Sequence, residues 1–135
     1  MNKKILILSL LLPLILSGCV FNSDGKIYSV KNFIKAKERF INQSVKLKGF
    51  ILYKNECSSE PCPKYFMFND DMNGPVANRL IINFPAGTKE DYNSLPIAKE
   101  VIISAQYYKK DQVPNVIAND NGYYIFNYFL NKTSN

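Results

Sequence analysis

Cys57 and Cys62 are the residues whose spacing first raises a question of chemistry. They stand five positions apart in the stretch NECSSEPCPKY and could bind a metal, exchange electrons or form a structural disulfide. A structural zinc site requires four nitrogen or sulfur ligands, and the chain has no histidine and only three cysteines. Thioredoxin-like redox motifs have the spacing C-x-x-C, whereas four residues intervene here. The compartment that holds the chain therefore decides between a disulfide and two free thiols.

The third cysteine, Cys19, ends an N-terminal leader. Two lysines precede an apolar run at residues 5–16, which is shorter than the roughly 20 residues of a membrane-spanning helix and has the length of a signal-peptide core. The sequence Leu16-Ser17-Gly18-Cys19 follows and resembles the lipobox of bacterial lipoproteins. The resemblance implies that residues 1–18 are a signal peptide and that Cys19 is acylated with palmitate-type chains. The alternative is an ordinary secretory signal or a membrane anchor.

The leader also predicts where the mature protein lies. Two or more acyl chains hold a protein stably on a membrane, and residues 19–28 would form the tether. Val20 follows the lipidated cysteine, and the resemblance then implies the periplasmic face of the outer membrane in a Gram-negative host. An exported domain can keep disulfides. We therefore predict a structural Cys57–Cys62 disulfide, with free thiols as the alternative.

The composition is that of one folded domain of modest size. After cleavage about 117 residues remain, which is a common domain length, and 47% of the chain is hydrophobic, with nine Tyr and nine Phe. Without the two leader lysines, 15 basic and 11 acidic residues leave a charge of about +4. This charge favours contact with anionic surfaces but does not specify a partner.

Hydrophobic periodicity predicts one helix followed by short strands. Residues 29–43 have apolar positions at helical spacing, and Ser29 is a plausible N-cap. A helical turn is expected in the segment TKEDYNSL, and a tight turn at Asp120-Asn121-Gly122. The predicted strands are residues 44–52, 64–70, 79–84, 100–108, 115–118 and 123–130.

This order predicts a mainly β domain over residues 29–130, with a polar tail at 131–135. One amphipathic helix would precede a small OB-like five-stranded barrel, and Gly49 would mark the sharp bend of its first strand. The segments NQSVKLKGFIL, YFMFND, LIINF and KEVIISAQYY resemble small exported bacterial OB-fold proteins of the tRNA-anticodon-binding-like type. The alternative is a cystatin-like or NTF2-like α+β roll, with strands in hairpin order.

The chain offers little for catalysis. Without histidine there is no Ser-His-Asp or Cys-His arrangement, and Asp70 and Asp71 read as a polar turn. We expect no catalytic residue, no metal and no cofactor. The predicted function is that of a lipid-anchored envelope lipoprotein whose non-catalytic domain binds an envelope protein or a small ligand.

A ligand-facing surface is expected near the loop between the first two barrel strands. Single-stranded nucleic-acid binding is the first alternative, because OB-folds combine lysines with stacking aromatics, but the mild charge and the envelope location predict that nucleic acid is not the ligand. A metal-dependent OB-barrel nuclease is the second alternative. The predicted surface residues are Lys46, Lys48, Phe50, Lys54, Lys64 and Tyr108.

Overall fold

In the described part of the chain, five strands follow one short helix, and a three-residue strand precedes it. The computed structural model describes residues 25–56, 58–59, 61–112 and 117–132. Its main elements, in chain order, are β1 (Ile27–Ser29), α1 (Val30–Ala36), β2 (Ser44–Lys54), β3 (Tyr65–Asn69), β4 (Leu80–Asn83), β5 (Glu100–Tyr108) and β6 (Tyr123–Lys132).

Helix α1 begins where the capping residue predicts but is shorter than expected. The Ser29 hydroxyl accepts a hydrogen bond from the Asn32 amide at 3.2 Å, which satisfies one of the unpaired donors of the first turn. The α-helix ends at Ala36, and a 3₁₀ turn spans Lys37–Phe40. The predicted helix over residues 29–43 is therefore right in its start and too long at its end.

Strands β2 to β6 close into a ring. β2 pairs with β3, β3 with β4, β4 with β6, β6 with β5, and β5 returns to β2. All of these pairings are antiparallel except β4–β6, which is parallel. Five strands joined in this order form the OB-like barrel that the sequence predicts. The α+β roll is excluded, because its sheet is open and ends in two edge strands, whereas the pairing of β5 with β2 closes this sheet into a ring.

Strand β2 bends at Gly49 to serve both halves of the barrel. Its first half, from Ser44 to Phe50, pairs with β5, and its second half pairs with β3. A Cβ atom at Gly49 would lie 2.5 Å from the carbonyl oxygen of Asn69 on β3. Only glycine allows the two backbones to approach this closely, so the predicted bend is confirmed.

The barrel interior is aromatic and is closed at both ends. At one end Phe33 of α1 packs against the rings of Tyr107 and Tyr124, with centroids 5.4 and 6.0 Å away. At the other end Tyr92 and Leu95 are buried, and a 3₁₀ turn spans Tyr92–Ser94. This is the helical turn expected in TKEDYNSL, and it occupies the position between the third and fourth barrel strands.

Three features depart from the predicted boundaries. β1 overlaps the last two residues of the predicted tether, 27 and 28, and pairs in parallel with residues 46–48 of β2. β6 continues to Lys132, into the predicted polar tail. In the predicted strand at 115–118, residues 115–116 lie outside the described ranges, and Ile117 and Ala118 are not in a strand. The tight turn before β6 is confirmed by the hydrogen bond from the Gly122 amide to the Asn119 carbonyl.

Candidate ligand-binding face

The outer surface of β2, β3 and β4 is apolar and aromatic. Backbone register places Tyr53 opposite Met67, and Met67 opposite Ile81. In the next row toward the 55–64 loop, Tyr65 lies opposite Asn83. The neighbouring positions Phe66, Phe68, Leu80 and Ile82 point inward and are fully buried. We call the outward residues Phe50, Tyr53, Tyr65, Met67 and Ile81 the β2–β3–β4 face.

A β-bulge creates the most exposed member of this face. The register shifts between Ile51 and Tyr53, so that Ile51 pairs with Phe68 and Tyr53 with Met67. Leu52 is the extra residue, and the side chains beyond it exchange sides. Tyr53 consequently points outward with 47% of its surface exposed. An exposed ring beside buried Met67 can stack on a planar or apolar ligand.

Two buried donors lie at the end of the same face. The Asn69 side chain is 1% exposed, and its Nδ2 atom has no hydrogen-bond partner within the described residues. Arg79 stands at the next position of the β3–β4 register after the Phe68–Leu80 pair, and its buried Nε likewise has no partner there. Since a buried donor without an acceptor costs free energy, both side chains lower the stability of this end of the face.

The Tyr92 side chain ties the 55–64 loop to the barrel. Its hydroxyl donates to the carbonyl oxygens of Asn55, at 2.5 Å, and of Tyr65, at 2.9 Å. Burial raises the pKa of the Tyr92 phenol above its ordinary value. Beside it, an open pocket of about 210 Å³ is lined by Lys64, Phe84, Asp91 and neighbouring residues. The loop that holds the cysteine pair therefore has fixed ends and an adjacent concave site.

The predicted surface residues fall in three places. Lys46, Lys48 and Phe50 point outward from β2, and Phe50 alone of the three belongs to the β2–β3–β4 face. Lys48 forms an ion pair with Glu100 at 3.6 Å in which both side chains are about half exposed, so its contribution to stability is small.

The other three predicted residues lie at the two ends of the barrel. Beyond the bulge, Lys54 points inward, and its Nζ donates to the carbonyl oxygens of Tyr92 and Asn93. The Lys64 ammonium lies 5.9 Å from the centre of the Tyr92 ring. Tyr108 packs against Tyr123 at the opposite end, with ring centroids 5.9 Å apart. Lys54 and Lys64 are thus brought together around Tyr92, whereas Tyr108 is separate from them.

The lipidation and disulfide sites lie only partly in the described chain. Cys19 and Cys57 fall outside the described residues, so acylation and the Cys57–Cys62 bridge stay predictions. Cys62 is half-buried, and its Sγ lies 3.7 Å from Asn55 Nδ2, which also donates to the Pro63 carbonyl at 2.8 Å. These contacts hold Cys62 and Pro63 beside Asn55.

The aspartates of the polar turn after β3 accept hydrogen bonds from backbone amides. Asp70 Oδ2 accepts from the Lys31 amide at 3.1 Å, and Asp71 Oδ1 accepts from the Asn73 amide at 2.9 Å. Across the described ranges, no cluster of three or more His, Cys, Asp or Glu residues could hold a metal ion. Over those same ranges, no helix has both the length and the apolar character needed to cross a membrane.

Comparison with known proteins leaves the chain without an assigned family. No family model matches the sequence, and no curated protein matches it. Among solved structures, it is similar to a candidate nucleic acid-binding lipoprotein from Klebsiella pneumoniae subsp. pneumoniae, with 24% identity and a TM-score of 0.47. The match covers 67% of this chain and 81% of that chain. A likeness at this level supports no conclusion about fold or function, which rest on this chain's own residues.

Proposed function

We propose that the protein is a lipid-anchored lipoprotein of the cell envelope whose OB-like domain binds a protein or small ligand without catalysis. The β2–β3–β4 face carries the proposal. β3 and β4 are the second and third strands of the barrel, and that face is a usual binding surface of OB-folds. Here it combines the exposed ring of Tyr53 with the apolar side chains of Met67 and Ile81.

The anchor is supported by the leader sequence. The lipobox-like residues Leu16-Ser17-Gly18-Cys19 follow a short apolar run, and acylation at Cys19 would hold the domain at the envelope membrane. Mass spectrometry of the membrane-extracted protein should show a diacylated N-terminal Cys19. A soluble product that starts at another residue would refute the anchor and leave the binding face to be tested by itself.

Site-specific photo-crosslinking tests the binding face in the intact lipoprotein. A photoreactive residue replaces Tyr53 in one variant and Tyr128 in a matched control, because both are strand tyrosines, with 47% and 52% of their surfaces exposed. We expect a defined adduct from position 53 and a different pattern from position 128. The substitution Tyr65→Ser, on the same face, should reduce the adduct from position 53 several-fold while the β circular-dichroism spectrum is kept. Identical patterns from both positions would contradict the proposal.

Single-stranded nucleic acid is the second candidate ligand for the same face. The rings of Phe50, Tyr53 and Tyr65 could stack on bases, and Arg79 supplies a cation at the end of the face. Titration of the protein with labelled oligo-dT at low salt decides between the two. We expect no micromolar binding. Micromolar affinity that falls steeply with added salt, as counterion release requires, would replace our proposal by this alternative.

A further inference from the structure

A second outward surface spans β1, β2, β5 and β6. Backbone register places Ile27 opposite Lys46, Lys46 opposite Ser104, and Ser104 opposite Tyr128. These four residues therefore form one row across four strands. In the adjacent row, Lys48 lies opposite Ile102. We call this surface the β1–β6 face.

The β1–β6 face exposes large apolar groups beside lysines. Ile27 is 49% exposed, Tyr128 52% and Leu130 38%. Leu130 is the extra residue at a bulge of β6, because Ile102 pairs with Asn131 and Ile103 with Phe129. Ile27 lies at one margin of the face and Tyr128 and Leu130 at the other, on strands separated by β2 and β5, so apolar groups flank the lysines of β2.

Small serine side chains occupy the centre of this face and are fixed by hydrogen bonds. The side-chain amide nitrogen of Asn127, Nδ2, donates to the hydroxyls of Ser44 and Ser104, at 3.3 Å in each case. Ser104 is buried, so Lys46 and Tyr128 project on either side of a low central region.

The position of β1 relates this face to the proposed anchor. Ile27 is the eighth residue after Cys19, and eight extended residues reach at most roughly 29 Å. β1 forms one edge of the face, so the described chain joins the barrel at this edge, beside Ile27. The bilayer that takes the acyl chains is thus within reach of this side of the barrel.

We propose that the β1–β6 face rests on the anionic bilayer surface into which the lipid is inserted. This inference depends on the proposed lipid anchor. Tyrosine is enriched at membrane interfaces, aliphatic side chains enter the boundary between headgroups and acyl chains, and lysines are attracted to anionic lipids. These three kinds of contact come, respectively, from Tyr128, from Ile27 and Leu130, and from Lys46. The β2–β3–β4 face shares only strand β2 with the β1–β6 face and uses its later residues Phe50 and Tyr53, so it stays open to a ligand.

Single tryptophan reporters can measure this contact, because the chain contains no tryptophan. The full lipoprotein carries Tyr128→Trp or Ile27→Trp, with Tyr53→Trp as the matched control. Each variant is reconstituted in vesicles of phosphatidylcholine and phosphatidylglycerol, with plain or brominated acyl chains. We expect brominated lipid to reduce the fluorescence at positions 128 and 27 at least twofold and to leave position 53 nearly unchanged.

The charge contribution is tested by Lys46→Gln in the Tyr128→Trp background. We expect weaker quenching in vesicles that contain phosphatidylglycerol, and weaker quenching of the parent variant in phosphatidylcholine alone. Equal quenching with and without phosphatidylglycerol would overturn the preference for anionic lipid.

Flotation of the same samples distinguishes a failure of the lipid anchor from a failure of the proposed orientation. A protein that floats with the vesicles but shows no quenching at positions 27 and 128 would overturn the proposed orientation and leave the anchor intact. Equal quenching at positions 53 and 128 would also overturn it, because the domain would then have no preferred face. A protein that does not float would remove the anchor and, with it, this inference.

Discussion

Removing the Tyr92 hydroxyl should measure how firmly the 55–64 loop is tied to the barrel. The substitution Tyr92→Phe keeps the ring, which packs against Phe84 with centroids 5.3 Å apart, and deletes only the donor to Asn55 and Tyr65. The Tyr65 carbonyl keeps a partner, because the Asn55 amide also donates to it at 2.9 Å. The loss therefore falls mainly on the half-buried carbonyl of Asn55.

Leaving one such carbonyl without a partner costs about 1–2 kcal/mol, the lower part of the range for a buried group. For a domain of this size, that loss lowers the melting temperature by roughly 3–10 °C. Thermal melting followed by circular dichroism gives the value. The same loss should persist under reductant, because the hydroxyl contacts backbone oxygens and not cysteine sulfur.

Tyr128→Phe is the matched control, since its side chain is 52% exposed and a surface change of this kind alters stability by less than about 0.5 kcal/mol. Equal, small changes in melting temperature for the two substitutions would refute the stabilising link between the Tyr92 hydroxyl and the 55–64 loop. Loss of the folded state in Tyr92→Phe would refute it too, because one hydrogen bond cannot account for so large a change.

Three further predictions concern backbone contact, the cysteine pair and burial of a phenol. Gly49→Ala should lower the free energy of unfolding in urea by about 1–3 kcal/mol, because its Cβ would overlap the Asn69 carbonyl; an unchanged midpoint would contradict the close approach. The double substitution Cys57→Ser and Cys62→Ser should cost at most about 3 kcal/mol and keep the β circular-dichroism spectrum, whereas two reactive thiols in the unreduced protein would refute the bridge. Burial raises the pKa of Tyr124 above its unfolded value of about 10, so its contribution is complete below pH 10 and is lost as the pH rises. The melting temperature should fall above about pH 10, less steeply for Tyr124→Phe, and equal slopes would contradict this account.

The barrel could be predicted because local signals agreed with it. Residues 44–52 and 100–108 alternate apolar and polar side chains, and the structure shows strands at both places. Gly49 marked the bend of the first barrel strand, and Ser29 marked the helix start. Each of these features depends on residues close together in sequence.

The features that escaped prediction depend on distant partners. β1 has three residues and no periodicity of its own, so its conformation comes from pairing with β2. Lys54 is predicted as a surface residue because it flanks the loop after the first barrel strand, but the bulge at Leu52 turns its side chain inward, toward the Tyr92 carbonyl.

The same bulge explains why most of the candidate site was missed. Phe50 was the one residue of the β2–β3–β4 face that the sequence singled out. Tyr53 is placed there by the bulge, and Met67 by its pairing opposite Tyr53. The alternation within YFMFN was the available signal, because Phe66 and Phe68 share the buried side and leave Tyr65 and Met67 on the other.

The parallel pairing of β1 with β2 has a mechanical consequence. Tension applied at the N-terminus runs along the axis of β1, so its three register pairs with residues 46–48 are loaded together, in shear, rather than opened one after another. The Tyr28 ring packs against Phe40 with centroids 5.3 Å apart, and the same displacement must break that contact. The ring of β2 to β6 closes without β1. A force strong enough to detach β1 would therefore lengthen the proposed tether by several residues while the barrel stayed closed.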